Sequence, residues 1–298
     1  SLNAQLTIDA IDGNLFSGWK ISGVRLRDDH GPIADIESIV LRYNIFRVPW
    51  KIVTIRELTL NTPRIFITRA EGRDWNINTL VRETDEPEDT TQTPFDWDIR
   101  VEYLRILDGM LLVYDSSTTG PLRRDRFNPQ HMQLTDLNIA LSAEIRDDRK
   151  HLAINRLVSE NAFGDVGVKN LSGDVVLRKD GVEISGLSIQ TARSGILRSA
   201  ALDSVDVLDD FDADRLADLP LSVRLNAPAV DLRDLRYFLP PLEILGGAPA
   251  LELDARGTLT DLTIASLRLE AAESRISFAG SLRNILDGAD MVLSLIHI

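Results

Sequence analysis

With 298 residues and 44% hydrophobic content the chain can bury a sizeable core, yet only 6% is aromatic, and its Leu, Ile and Val come in short alternations that favour extended β structure over a compact aromatic-rich enzyme. A net charge of -13 argues against nucleic-acid binding, which needs clustered Lys and Arg to neutralise phosphates. Because cysteine is absent, neither disulfides nor thiolate metal sites enter the reading.

In chain order, Leu2 to Ile11 alternates apolar and polar residues, so the sequence, opening on Ser1, begins inside a strand as a fragment would. Asp12-Gly13-Asn14 is a turn signal. Next come Trp19, Ile21, Val24 and Leu26, spaced Φ-x-Φ-x-x-Φ-x-Φ with Φ apolar. The spacing recurs at Val53, Ile55, Leu58, Leu60; at Ile99, Val101, Leu104, Ile106; at Val182, Ile184, Leu187, Ile189; at Val230, Leu232, Leu235, Tyr237; and at Leu262, Ile264, Leu267, Leu269. On a helix these positions split between opposite faces, whereas in a strand each pair shares a face and the odd central step must be reset. A β-bulge resets it while bending the strand, and a two-residue hairpin resets it by folding back. Only Ser22-Gly23 and Ser185-Gly186 suit a tight turn. The other centres, Arg56-Glu57, Glu102-Tyr103, Arg233-Asp234 and Ala265-Ser266, read as creases in continuous strands with one apolar face.

Between these units, Arg27 to Pro32 reads as a loop, Ile36, Ile39, Leu41 and Tyr43 resume the apolar pattern, and Asn44 to Lys51 forms a corner interrupted by Pro49. Arg73 to Glu83 reads as a short helix capping one end of the sheet. Further turns are expected at Asp108-Gly109, 146–150, 164–167, 179–181 and 193–195, about ten residues apart as in a meander. The spacing as a whole predicts a mainly β fold: a long, curled, largely antiparallel sheet forming a trough-like β-groove with a few short helices.

Composition divides the chain into a first β module at 1–84, an acidic linker or loop at 85–94, a second β-repeat module at 95–202 and a third, cut off at its C-terminus, at 203–298. Met291 to Ile298 begins a strand, and its Leu-Ser-Leu-Ile-His-Ile end reads like translated adapter sequence.

Chemistry is sparse. There is no G-x-S-x-G, no G-x-G-x-x-G after a strand, no phosphate loop and no H-E-x-x-H, and His30, His131, His151 and His297 are far apart, so no catalytic residue, metal site or cofactor is expected. Asp210, Asp212 and Asp214 start like a calcium loop, but Arg215 and Leu221 stand where that loop needs Gly and Glu. A solvated acidic connection is the better reading. Arg123, Arg124 and Arg126 suit a phosphate or, more simply, loop solvation, and the strand arginines Arg25, Arg27, Arg42, Arg56, Arg64, Arg69, Arg100, Arg105 and Arg268 line the outer face and discourage edge pairing. No apolar run is long enough for a transmembrane helix, and no signal peptide opens the chain.

The succession LTIDAIDGNLFSGWKISGVRLRDDHGPIADIESIVLRYN, then VTIRELTLNTPRIFITRAEGRDWNINTLV with Gly72, Asn76 and Leu80, resembles the N-terminal portion of AsmA-like proteins, most closely the TamB branch. VEYLRILDGMLLVYD, KNLSGDVVLRKDGVEISGLSIQT and ARGTLTDLTIASLRLEAAESRISFAG are similar to its repeating β units. The resemblance implies a repeating β-groove of the bridge-like lipid-transfer type, in the periplasm of a Gram-negative bacterium, with the full-length protein anchored in the inner membrane by a helix missing here. It implies phospholipid acyl chains as cargo, moved toward the outer membrane without catalysis, and outer-membrane assembly proteins as partners through missing C-terminal regions. The groove lining would then be the apolar positions of five creased units, Trp19 to Leu26, Val53 to Leu60, Ile99 to Ile106, Val182 to Ile189 and Leu262 to Leu269. Two other readings remain open: a scaffold that helps outer-membrane barrels assemble by offering sheet edges, and a closed β-solenoid or sandwich whose apolar residues form a purely structural core.

Overall fold

The computed structural model describes residues 4–29, 31–78, 97–117, 130–146, 149–161, 167–178, 181–191, 193–203, 220–235, 247–258, 260–271, 274–283 and 290–296. The acidic segment at 85–94, the arginines at 123, 124 and 126, the aspartates at 206–218, and His30, Tyr237 and His297 lie outside them. The described residues are mainly β, in largely antiparallel pairs, with one 3-10 helix and one short α-helix. They divide into two units, 1–147 with 156–167, and 148–155 with 168–298.

The first unit holds β1 (Gln5–Thr7), β2 (Ala10–Asn14), β3 (Gly18–Asp28), β4 (Gly31–Asn44), β5 (Ile52–Asn61), β6 (Arg64–Arg69), β7 (Asp98–Asp115), β8 (His131–Ile145) and the end of β9 (Arg149–Asn161). β3 pairs antiparallel with β1, β2 and β4, and β4 with β5 and β6. The 18-residue β7 runs parallel to β5 along its first half and to β6 along its second, and pairs antiparallel with β8. Strands on either side of the 85–94 segment therefore share one unit.

The second unit is a meander of β10 (Val168–Arg178), β11 (Gly181–Thr191), β12 (Gly195–Asp203), β13 (Leu221–Ala229), β14 (Ala250–Gly257), β15 (Asp261–Ala271), β16 (Ser274–Arg283) and β17 (Asp290–Ile296), each antiparallel to the next. Helix α1 (Leu232–Leu235) follows β13. The backbone of Leu293 to Ile296 is in register with Ser277 to Gly280, so this part of the C-terminal stretch continues the meander.

Three creases fall at the expected dipeptides, and a fourth falls at Ser185-Gly186, where a turn was the expectation. Ile55 and Leu58 pair with Val101 and Leu104, so β5 and β7 carry their extra residues, at Arg56-Glu57 and Glu102-Tyr103, side by side. Register against the flanking strands shifts at both places, between Arg42 and Tyr43 and between Val101 and Leu104. Ser185-Gly186 and Ala265-Ser266 shift register against both neighbours in the same way. An extra residue shared by adjacent strands bends the sheet without breaking the ladder.

Several local expectations fail for one reason: a residue type that permits a turn does not compel one. Both Ser-Gly pairs lie inside continuous strands, Gly23 and Gly186 supplying positive φ values of 65° and 59° without reversal. Asp108-Gly109 is a crease in β7, with Asp108 at φ 53°, matched by Asp136 at φ 49° in the partner strand. Asp12-Gly13-Asn14 belongs to β2; the chain reverses at 15–17, where the Asn14 side chain accepts the Phe16 and Ser17 N–H groups at 2.9 Å. A Cβ on Gly13 would meet the Gly18 carbonyl at 2.2 Å, so glycine is needed there for close strand approach. Of the expected helix at Arg73 to Glu83, the described part to Asn78 is a turn, because Trp75 bridges back to Arg69 and the Asn76 side chain bonds Thr68 N–H at 3.0 Å and the Phe66 carbonyl at 2.8 Å. Leu232 to Leu235, expected as part of a creased strand, is α1.

The aligned positive-φ residues form a second crease across the first unit. Gly23 lies in β3, Thr62 (φ 49°) between β5 and β6, Asp108 in β7 and Asp136 in β8, with Thr62 N–H donating to the Leu107 carbonyl at 2.8 Å and its hydroxyl to Glu37 of β4 at 2.9 Å. Beside this line lie the buried Val24, Ile36, Pro63 and Leu137.

Candidate functional site

Register converts the apolar spacing of single strands into rows that cross the sheet. In the first unit Ile11, Ile21, Ile39, Leu60, Ile106 and Ile139 stand opposite one another across β2, β3, β4, β5, β7 and β8. A second row runs Trp19, Leu41, Leu58, Leu104, Leu141; a third runs Tyr43, Ile55, Val101, Ala143; a fourth runs Val53, Ile99, Ile145. Beyond the second crease, Leu6, Leu26, Ala34, Ile65, Leu111 and Leu134 make a fifth. With strands about 4.8 Å apart, a six-strand row spans about 24 Å.

Between the apolar rows run polar ones. Lys20, Val40, Thr59 and Arg105 share one row, and Ser22, Ser38 and Asn61 another. Asn61 Nδ2 donates to Ser38 Oγ at 2.9 Å, Thr59 Oγ1 to Glu57 Oε1 at 3.1 Å, and Arg42 lies 3.4 Å from Glu57. Alternation therefore gives a reverse face held by hydrogen bonds and a front wall of branched apolar side chains.

The wall of the first unit is incompletely covered. Val24, beside the second crease, is buried, but Trp19, Ile21, Leu26, Val53, Ile55, Leu58, Leu60, Ile99, Val101, Leu104 and Ile106 are only half-buried. Trp19 satisfies its indole N–H on Tyr43 Oη at 3.0 Å, leaving the ring in the wall. The second unit differs. Leu262, Ile264 and Leu269 are 6%, 4% and 7% exposed, while Ile184, Leu187, Ile189 and Leu267 are half-buried; Val182 stands in β11 opposite Leu177 and Leu202. Ala227, Val230, Leu251 and Leu269 form a cluster against which Ile189, Leu225, Leu253, Leu267 and Phe278 pack, and Ala255, Leu262 and Ile264 form another.

The segment from Val230 through α1 starts inside the first of these clusters, of which Val230 is a member, and its Val230 and Leu232 are 1% and 3% exposed. It is pinned by Asp234, which accepts from Thr191 Oγ1 at 2.6 Å, Ser194 Oγ at 2.8 Å and Arg193 at 3.3 Å. Ser194 Oγ in turn accepts the Asp231 N–H at 2.9 Å. Arg233, bonded to Asp231, lowers the Asp231 carboxyl to about 2 against the opposing effect of burial. Sequence spacing alone did not mark this segment; the signal was the pair of aspartates alternating with apolar residues, which a strand would have placed on its outer face.

Among the described residues, the first unit has a buried charge cluster instead. At the ends of β6 and β7, the Arg69 guanidinium pairs with Asp115, stacks on Trp75 with 4.9 Å to the ring centroid, and so departs from the outward-facing role expected of strand arginines. The hydrogen bond from Arg69, reinforced by the Ser117 hydroxyl and N–H at 2.6 and 2.9 Å, holds the buried Asp115 carboxyl well below the usual range. His131 Nε2 lies 2.6 Å from the Asp115 carbonyl, and His151 Nε2 2.9 Å from Asp174 Oδ1. Both histidines have structural partners.

Among the described residues no group of three or more His, Asp or Glu side chains converges as a metal site, and no helix is long and apolar enough to cross a membrane. Comparison of the chain with protein-family models, curated proteins and solved structures gives no match.

Proposed function

We propose that this chain is part of a periplasmic groove protein that shields phospholipid acyl chains on their way between the inner and outer membranes, without catalysis. The observation that carries the reading is the half-buried apolar wall of the first unit, whose rows cross up to six strands with side chains too exposed for a finished core. An acyl chain laid along such rows would gain about 0.8 kcal/mol per methylene removed from water. The reverse face would keep its own hydrogen bonds, with Ser38 and Thr59 already buried, and the creases at Arg56-Glu57 and Glu102-Tyr103 would bend the wall around the chain. The resemblance of the sequence to AsmA-like proteins of the TamB branch points the same way and supplies the compartment and cargo class.

A second reading is favoured by a specific observation for part of the molecule. The clusters around Leu251, Leu269, Leu262 and Ile264 are sealed, so in the second unit these wall residues serve as core.

Lipid extraction and native mass spectrometry of the purified chain test the proposal. Phospholipid is expected to co-purify, and Leu104→Asp, which puts a charge in the middle of a row, is expected to release it while far-UV circular dichroism stays that of a β fold. Wild-type protein free of phospholipid would sink the reading.

A further inference from the structure

The rim of the first unit where β2–β3 and β4–β5 turn carries apolar side chains that no core claims. Leu15 and Phe16 at the β2–β3 tip are 53% and 73% exposed, and Phe46, Val48 and Trp50 in the 3-10 helix Ile45–Trp50 are 72%, 38% and 71% exposed. The two tips are neighbours. Trp19 pairs with Leu41 and Asn44 with Thr54, which places the start of β3, the end of β4 and the start of β5 at one side of the sheet.

Single exposed hydrophobics are ordinary, but five large ones on two adjacent tips are not. Nor are they loosely held. Asn14 accepts the N–H groups of Phe16 and Ser17, Asn44 accepts that of Phe46 at 3.0 Å, Pro49 stiffens the helix, and Lys51 at φ 58° ends it by donating its N–H to Val48 at 2.9 Å. The backbone spends its capping groups on presenting these rings outward, and the 3-10 helix buries none of its residues.

Charge selects the partner. In a chain of net charge -13, the run from Ile45 to Lys51 holds Arg47 and Lys51 and no carboxylate. Bulky aromatics beside a cationic side chain, at the end of a rigid element, match the interfacial zone of a bilayer with anionic headgroups: rings at the acyl boundary, the Arg47 guanidinium among phosphates. We propose that this rim, Leu15, Phe16, Phe46, Arg47 and Trp50, docks the first unit onto an anionic phospholipid surface. The inference does not depend on the wall holding acyl chains.

Flotation of the full chain with vesicles of phosphatidylcholine, with and without phosphatidylglycerol, tests it. The protein should float with the phosphatidylglycerol vesicles, release as salt rises, and show a blue shift of the Trp50 emission, isolated as the difference between wild type and Trp50→Phe. The double variant Phe46→Ser/Trp50→Ser should partition about a hundredfold more weakly, about tenfold per ring lost. Ile77→Ser, at an exposed apolar residue in the turn after β6, at the opposite end of the sheet from the tips, should float as wild type. A double variant that keeps its circular dichroism and its co-purified phospholipid yet no longer floats separates rim from wall. Equal flotation of wild type and double variant, absence of flotation, or a patch that instead pairs two copies of the chain in sedimentation overturns the proposal.

Discussion

Two stretches with the same spacing meet different fates. In the first unit Val53, Ile55, Leu58 and Leu60 are half-buried; in the second, Leu262, Ile264 and Leu269 are nearly sealed and Leu267 packs against both clusters. Each is a strand bulged at its centre, so strand geometry is not the difference. What differs is the neighbourhood. The second unit packs Val230 into the cluster of Ala227, Leu251 and Leu269 and fixes the turn that follows through Asp234, and no comparable segment is tied to the first wall among the described residues. A creased β strand thus defines a face, and what packs against that face decides whether it becomes core or stays half-buried.

Truncations should expose this contrast most clearly. Leu269→Ala, in the sealed cluster, is expected to lower stability by about 3 kcal/mol in urea denaturation, against about 1 kcal/mol for Leu60→Ala in the half-buried wall. Equal losses would erase the distinction between the units. Asp234→Ala should cost about 2 kcal/mol, because two hydroxyls and a guanidinium lose their acceptor, and should raise binding of a hydrophobic dye as the turn loosens. Unchanged dye binding would mean that something else holds the turn.

The buried Asp115 gives the first unit a pH signature. Its folded carboxyl titrates below the ordinary value of about 3.9, so its contribution is fully present above that pH and is lost as pH falls from about 4 through the depressed folded value. Asp115→Asn should therefore be less stable than wild type at neutral pH and show a shallower loss below pH about 4 in acid titration followed by circular dichroism. Parallel curves for the two proteins would remove Asp115 from the account. The smallest effect is expected for Arg268→Ala, whose pair with Glu252 at 3.6 Å is well exposed on both sides: a change within about 0.5 kcal/mol.

Where local chemistry suffices, the sequence is explicit. The bulges at Arg56-Glu57, Glu102-Tyr103 and Ala265-Ser266 follow from an odd step between two alternating pairs, since no regular strand keeps all four residues on one face; at Ser185-Gly186 the same step occurs where the residue types suggest a turn. Asp108-Gly109 and Ser22-Gly23 mislead because positive φ serves a reversal and a crease equally well. The choice rests with the partner strand: β8 takes the same step at Asp136, and the strands continue together. The wall was legible as a set of positions but not as rows, for Ile11, Ile39, Leu41, Ile139 and Leu141 lack the creased spacing and join it only through register. In the sequence the aromatic rim reads only as a corner, because exposure of Phe46 and Trp50 does not follow from residue type.

The amino-acid sequence by itself determined a mainly β chain with a repeated, creased, one-sided strand, because side-chain alternation and its interruption are properties of the local backbone. Tertiary structure alone decided that β5 and β7 run parallel with their creases aligned, that Val230 to Leu235 leaves the strand pattern with Val230 in a buried cluster, that the first wall stays half-buried, and that the rim at Phe46 and Trp50 is exposed. The physical reason is that burial is a relation between segments distant in the chain. Residue spacing fixes which way a side chain points, and only packing fixes what it meets.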